Sequence, residues 1–123
     1  MEGVLLQDWL TLTGQSGSIA TTQSESGYLD LGESEDLTFF LDVSSVAGAV
    51  SVTYQTAPTR SDGGFLPVLA PISIGAPGLR VDRAPFALAL TPPARFVRWR
   101  MSSTLAGGAW SVTFRIWLAT YAY

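Results

Sequence analysis

The chain has 123 residues and contains no cysteine, no histidine and no lysine. Without cysteine there is no disulfide framework and no thiolate metal site. Without histidine the commonest general base and metal ligand is missing, and Ser-His-Asp and Cys-His catalytic sites are excluded. Charge is also scarce. Only 14% of residues are charged, against about a quarter in ordinary globular domains. The wetted surface is therefore thin, and part of it is expected to meet a partner. Long apolar runs are absent too, since none approaches the roughly 18 residues of a membrane span. The opening "MEGVLLQDWL" carries acids where a signal peptide needs bases, and Asp8 interrupts its apolar stretch, so neither a secretory signal nor a membrane anchor is expected. No stretch carries the 3.6-residue period of a long amphipathic helix.

What is present is period-two alternation. "VLLQDWLTLT" sets Val4, Leu6, Leu10 and Leu12 on one parity, and "LTFFLDV" sets Leu37, Phe39, Leu41 and Val43 inward. "VSVTYQT" alternates Val50, Val52 and Tyr54 with polar residues, and "FALAL" places Phe86, Leu88 and Leu90 on one face. "WSVTFRIWL" alternates Trp110, Val112, Phe114, Ile116 and Leu118 with Ser111, Thr113, Arg115 and Trp117. Strands with one dry and one wet face belong to antiparallel sheets. Turn chemistry separates them: "GQSGS", "GESED", "TRSDGG", "GAPG", "TPPA" and "STLAGGA", with "SSVAGA" read as a hairpin loop and "TTQSESG" as a mobile loop. The expected fold is all-β: an antiparallel β-sandwich, jelly-roll-like, with seven or eight strands, in a single domain spanning residues 1–123.

The formal charge is -3, and it is unevenly placed. Residues 1–42 hold eight acids and no base, whereas all seven arginines lie between Arg60 and Arg115. Such separation suits contact between identical subunits. "ARFVRWRMS" concentrates three of the arginines. Parity sends Val97, Trp99 and Met101 into the core and leaves Arg98 and Arg100 outward. Trp99 then cannot serve as a base-stacking platform beside the arginines. A net-negative chain also lacks the field that phosphate binding needs, so nucleic acid is not an expected partner. If the last two strands pair, Arg98, Arg100, Arg115 and Trp117 form one outward patch of arginine and aromatic side chains. Tyr121 and Tyr123 continue the parity of Trp117. Trp, Tyr and Arg are the residues that anchor interfaces, so these six are the candidate contact residues. The alternatives are that the loop between the two strands carries the chain to the other sheet, and that the C-terminal strand docks on its own domain.

"ESED", Glu33 to Asp36, groups three carboxylates, but their spacing matches no calcium-ligand pattern. No metal site, cofactor or catalytic residue is assigned. Trp9, Phe40 and Trp117 are candidates for an outward aromatic platform, which keeps glycan binding open; among the loops, only Phe65 offers an aromatic.

The run from "YLDLGESEDLTFFLDV" through "ARFVRWRMS" to "SVTFRIWLA" resembles the layout of discoidin-like, or galactose-binding-like, sandwiches. It also resembles small β-sandwich structural proteins of tailed bacteriophages, through its "ARFVRWR" strand and its final "SxTFxxxL" strand. The first resemblance implies surface binding through loops. The second implies a non-enzymatic virion protein made in the host cytoplasm: a capsid decoration protein, with a tail or baseplate component as the alternative. Its partners would be copies of itself and the major capsid protein, or tail proteins. The other class of function is a carbohydrate-binding module for host-surface recognition.

Overall fold

The computed structural model describes residues 2–14, 20–32, 35–86, 89–103 and 109–121. They form ten strands: β1 Glu2–Gly14, β2 Ala20–Thr22, β3 Leu29–Asp30, β4 Asp36–Ala47, β5 Val50–Ala57, β6 Leu66–Pro67, β7 Ile72–Ile74, β8 Gly78–Ala84, β9 Phe96–Ser103 and β10 Trp110–Tyr121. One sheet has the order β1-β10-β4-β8. The other has β2-β9-β5-β6, with β3 also on β9 and β7 also on β5. All pairings are antiparallel. Counting β2 with β3 and β6 with β7 as broken strands leaves eight strand positions. The chain crosses between sheets in the double Greek-key order of a jelly roll, as the strand pattern predicts.

The alternation in β4 and β10 builds the core. Phe39, Leu41, Val112, Phe114, Ile116 and Leu118 are fully buried on the inner face of the four-stranded sheet. Val52, Tyr54, Val97, Trp99 and Met101 oppose them from the other sheet. Aromatic pairs join the layers: Phe39 stacks on Tyr54 at 3.8 Å between centroids, and Trp99 meets Phe114 edge-on at 5.0 Å. Such pairs add about 0.5–1.5 kcal/mol beyond the area they bury.

Three local expectations are corrected. "FALAL" is not a strand. Pro85 has no amide to offer a ladder, the Phe86 amide donates to the Asp36 carboxylate at 2.9 Å, and Phe86 and Leu90 are exposed; Leu88 lies outside the described residues. The strand in this region is β8, "GLRVDRA". "SSVAGA" is a corner between sheets, because β4 and β5 belong to different layers. Gly48 turns that corner at φ +78°, and a Cβ there would stand 2.7 Å from the Ala109 carbonyl. "TTQSESG" is not a loose loop either. It holds β2 and a short 3-10 turn, and its Gln23 is buried. Gln23 donates to the Leu6 and Gly27 carbonyls at 2.7 and 2.8 Å, while its carbonyl oxygen accepts from the Trp99 amide at 3.3 Å.

That glutamine closes one side of the sandwich, helped by Gln7, whose Oε1 accepts from Trp99 Nε1 at 3.1 Å. Bulges on both sides of Gln7 in β1 turn it toward the indole. The opposite side, between β8 and β7, is open. A cleft of about 490 Å³ enters there over Leu41, Val43 and Ile74, with Arg80 at its lip.

Candidate interaction surface

The two outer faces of the sandwich are treated differently by the chain. On the six-stranded sheet, Tyr28 and Phe65 fold back over Ala57 and Phe96 to form a small second core. Arg98 lies beneath them. Its Nε donates to Gln55 Oε1 at 2.8 Å, and its Nη1 donates to the Tyr28 hydroxyl at 2.7 Å and to the Asp62 carboxylate at 2.6 Å. Its guanidinium packs over the Phe65 ring at 4.0 Å. Only 6% of the Arg98 side chain is exposed. The expectation of an outward, accessible Arg98 is therefore overturned. Parity does place it on the outer face, but segments distant in sequence cover that face at this point. Phe65 is likewise buried and offers no loop platform. Arg100, one row further along, is exposed. Below the covered end, Arg95 pairs with Asp30 at 3.2 Å. The Gly32 amide, then Arg95, hold the Asp30 carboxyl below its ordinary range.

The proposed single patch of arginines and aromatics is also corrected. β9 and β10 lie in different sheets, so Arg98 and Arg100 face away from Arg115, Trp117 and Tyr121. These last three share the outer face of the four-stranded sheet; Tyr123 lies outside the described residues. The sheet brings Trp9 and Phe40, the other candidates for an outward platform, to the same face as Trp117, and its register adds Leu5, Asp42, Leu79 and Val81, which sequence alone does not bring together. One row crosses all four strands as Leu5, Trp117, Phe40 and Val81. Leu5 and Trp117 are each 40% exposed and Val81 is 50% exposed. The neighbouring row runs Arg115, Asp42 and Leu79, with Trp9 beside it under the Arg115 guanidinium at 4.7 Å. The same guanidinium lies 5.7 Å from the Trp117 ring and pairs with Asp42 at 3.3 Å. Arg115 Nε is buried and has no acceptor among the described residues.

Strand β8 shows how far this face departs from an ordinary wet one. Its alternation is inverted. Leu79 and Val81 point outward, while Arg80 and Asp82 sit on the inner side at the sheet edge, paired at 2.9 Å. Inward-pointing charges protect an edge strand from pairing with a stranger, but they do not require apolar residues on the outside. The outward Leu79 and Val81 extend the apolar row to the edge of the sheet. The signal was present as the alternation of Leu79 to Asp82, which Arg83, facing out, and Ala84, buried, then reverse. Which parity faced out became legible only with the register.

Among the remaining acids, Glu33 lies outside the described residues, and Asp36 accepts from the Phe86 amide. Two N-terminal acids, Asp30 and Asp42, are spent on Arg95 and Arg115 of the same chain. Part of the charge separation read from the sequence is thus neutralised within the domain.

No family model and no curated relative matches the chain. Solved structures do match its fold. A chain in the structure of infectious bursal disease virus, Gt strain, aligns with a TM-score of 0.52 at 15% identity, over 99% of this chain and 32% of that one. The Gx strain gives 0.50 at 11% identity, over 95% and 32%. The present chain thus spans about a third of the viral chain it matches. The K1 cleaved adhesin domain of Lys-gingipain from Porphyromonas gingivalis aligns with a TM-score of 0.53 at 13% identity, over 98% of each chain. At these identities the likeness is one of fold.

Proposed function

We propose that this chain is a non-enzymatic virion structural protein of a tailed bacteriophage, a capsid decoration protein that works by burying surface against other proteins. The observation that carries the protein-contact part is the outer face of the four-stranded sheet. It displays two tryptophans, a phenylalanine and three aliphatic side chains around one ion pair. Large contiguous apolar patches on a soluble domain mark contact sites, and Trp and Arg are the residues that dominate contact energies. The bacteriophage part is supported by the resemblance of the "ARFVRWR" and "SVTFRIWLA" strands, and a jelly roll suits this role. With no histidine or cysteine in the chain, nucleophile-base pairs built on those residues are excluded.

Co-sedimentation with purified phage heads lacking the protein tests this reading. Saturable binding to heads is the expected result. Binding to tails instead moves the protein to the tail or baseplate, and binding to neither overturns the virion reading.

A second reading, glycan binding, is favoured by the exposed Trp9 and Trp117 on a flat face. Against it, Arg115 already packs over both rings. A glycan array decides: a hit that Trp9→Ala and Trp117→Ala both abolish would establish sugar binding, and a blank array would remove it.

A further inference from the structure

We infer that the outer face of the four-stranded sheet binds a second copy of this chain, face to face, about a two-fold axis running along the strands between β10 and β4. This deepens the reading above and rests on it only in taking that face to be a contact surface.

Three observations name the occupant. The first is charge. The centre of the face holds one cation and one anion, Arg115 and Asp42, side by side on neighbouring strands. A uniformly acidic or basic partner would bury one of them against a like charge, which suppresses binding. The surface that fits carries the same pair in reversed order. The chain's own face does so under the stated axis, because the rotation lays β10 over the second copy's β4. Arg115 then meets Asp42 of the second copy, and Asp42 meets its Arg115. The Arg115 side chain is about a third exposed, and among the described residues its one carboxylate contact is the 3.3 Å approach of Nη2 to Asp42.

The second is apolar complementarity under the same rotation. The row Leu5, Trp117, Phe40, Val81 reads in reverse on the second copy. Trp117 therefore meets Phe40, and Leu5 meets Val81. The inverted pattern of β8 becomes intelligible, since its exposed Leu79 and Val81 come to lie over β1 of the second copy. Stacked sheets cross at about 30°, so contact is closest at the central strands, where the charges and aromatics are.

The third is area. Strands of 13, 12, 12 and 7 residues, at about 3.4 Å per residue and about 4.8 Å between strands, make a face of roughly 700 Å². A stable standard interface uses about 800 Å² on each side.

The test is charge-swap complementation, read by sedimentation velocity without any capsid. The wild-type chain should dimerise. Arg115→Asp leaves two acids at the centre of the face and Asp42→Arg leaves two bases. Each variant alone should associate at least about tenfold more weakly, while an equimolar mixture of the two should form the mixed dimer. Circular dichroism and thermal melts confirm that both variants are folded. If either is not, Val81→Glu on the edge strand replaces it, and it should leave the chain folded and monomeric. A monomeric wild-type chain overturns the inference, as do single variants that dimerise like wild type or a mixture that stays monomeric. Head binding is scored separately. A monomer that still binds heads, and loses that binding with Val81→Glu, assigns the face to the capsid and overturns the second copy alone.

Discussion

Arg98 and Tyr54 are buried polar groups of opposite character. Arg98 has partners on every side. Truncating it leaves the Tyr28 hydroxyl and Gln55 Oε1 without their donor and opens a gap under Phe65. Arg98→Ala should therefore cost about 2–4 kcal/mol and lower the melting temperature on the order of 10 °C. Arg100→Ala, at an exposed site, should leave the melt within about 2 °C of wild type. Equal melts for the two variants would show that the clamp over Arg98 contributes nothing. Tyr54 is the reverse case. Its ring stacks on Phe39, but its hydroxyl is buried with no partner among the described residues. Tyr54→Phe should keep the stack and stabilise the fold by about 1 kcal/mol in denaturant titrations. Burial, with Asp82 nearby, also raises the Tyr54 pKa well above its ordinary value. A raised folded-state pKa means stability that is complete below the unfolded value of about 10. It is lost as pH climbs past that value, because only the unfolded chain releases the proton. The phenylalanine variant should lose less stability between pH 9 and 11 than wild type, a comparison made with the same titration.

Strands differ in how openly the sequence declares them. The alternating cores of β4 and β10 were legible, because each is a long central strand with one buried parity, but β4 runs on to Ala47, through residues that read as a loop. β8 was not legible. Leu79 to Asp82 alternate as β4 and β10 do, but Arg83 and the buried Ala84 reverse the pattern, so parity alone does not say which side is inward; the side of Arg80, Asp82 and Ala84 is. β9 was half legible. Val97, Trp99 and Met101 face the core as read, but Arg98 is covered by Tyr28 and Phe65, which are brought in from 70 and 33 positions away. No local pattern carries that information. The candidate face shows the same limit. Arg115, Trp117 and Tyr121 come from a single strand and were found from its parity. Phe40 and Trp9 were read beside Trp117 as candidates for an outward platform, whereas Leu5, Asp42, Leu79 and Val81 join them only through register. The corner between β4 and β5 looked like a hairpin because its residues favour turns in either setting. Gly48 is the residue that makes the corner, through its positive φ and its closeness to the Ala109 carbonyl. Gly48→Ala should cost about 2–4 kcal/mol, measured by chemical denaturation. A cost under about 0.5 kcal/mol would mean that the corner relaxes freely.

The molecule as a whole divides its labour between two faces, one covered at one end by its own segments and one left with apolar side chains outward. Solubility then depends on what happens to the second. The domain has few charges to keep copies apart, and a non-specific apolar surface would invite open-ended association. A two-fold pairing closes on itself after two copies. β10 adds a further constraint. It lies between β1 and β4 in the four-stranded sheet and pairs residues more than a hundred positions apart, such as Glu2 with Thr120. During synthesis β1, β4 and β8 emerge first, with the middle of their sheet unfilled. The apolar row, and the Arg115 that completes its ion pair, exist only after β10 has left the ribosome. A chain still lacking β10 therefore has no finished surface to offer a neighbour.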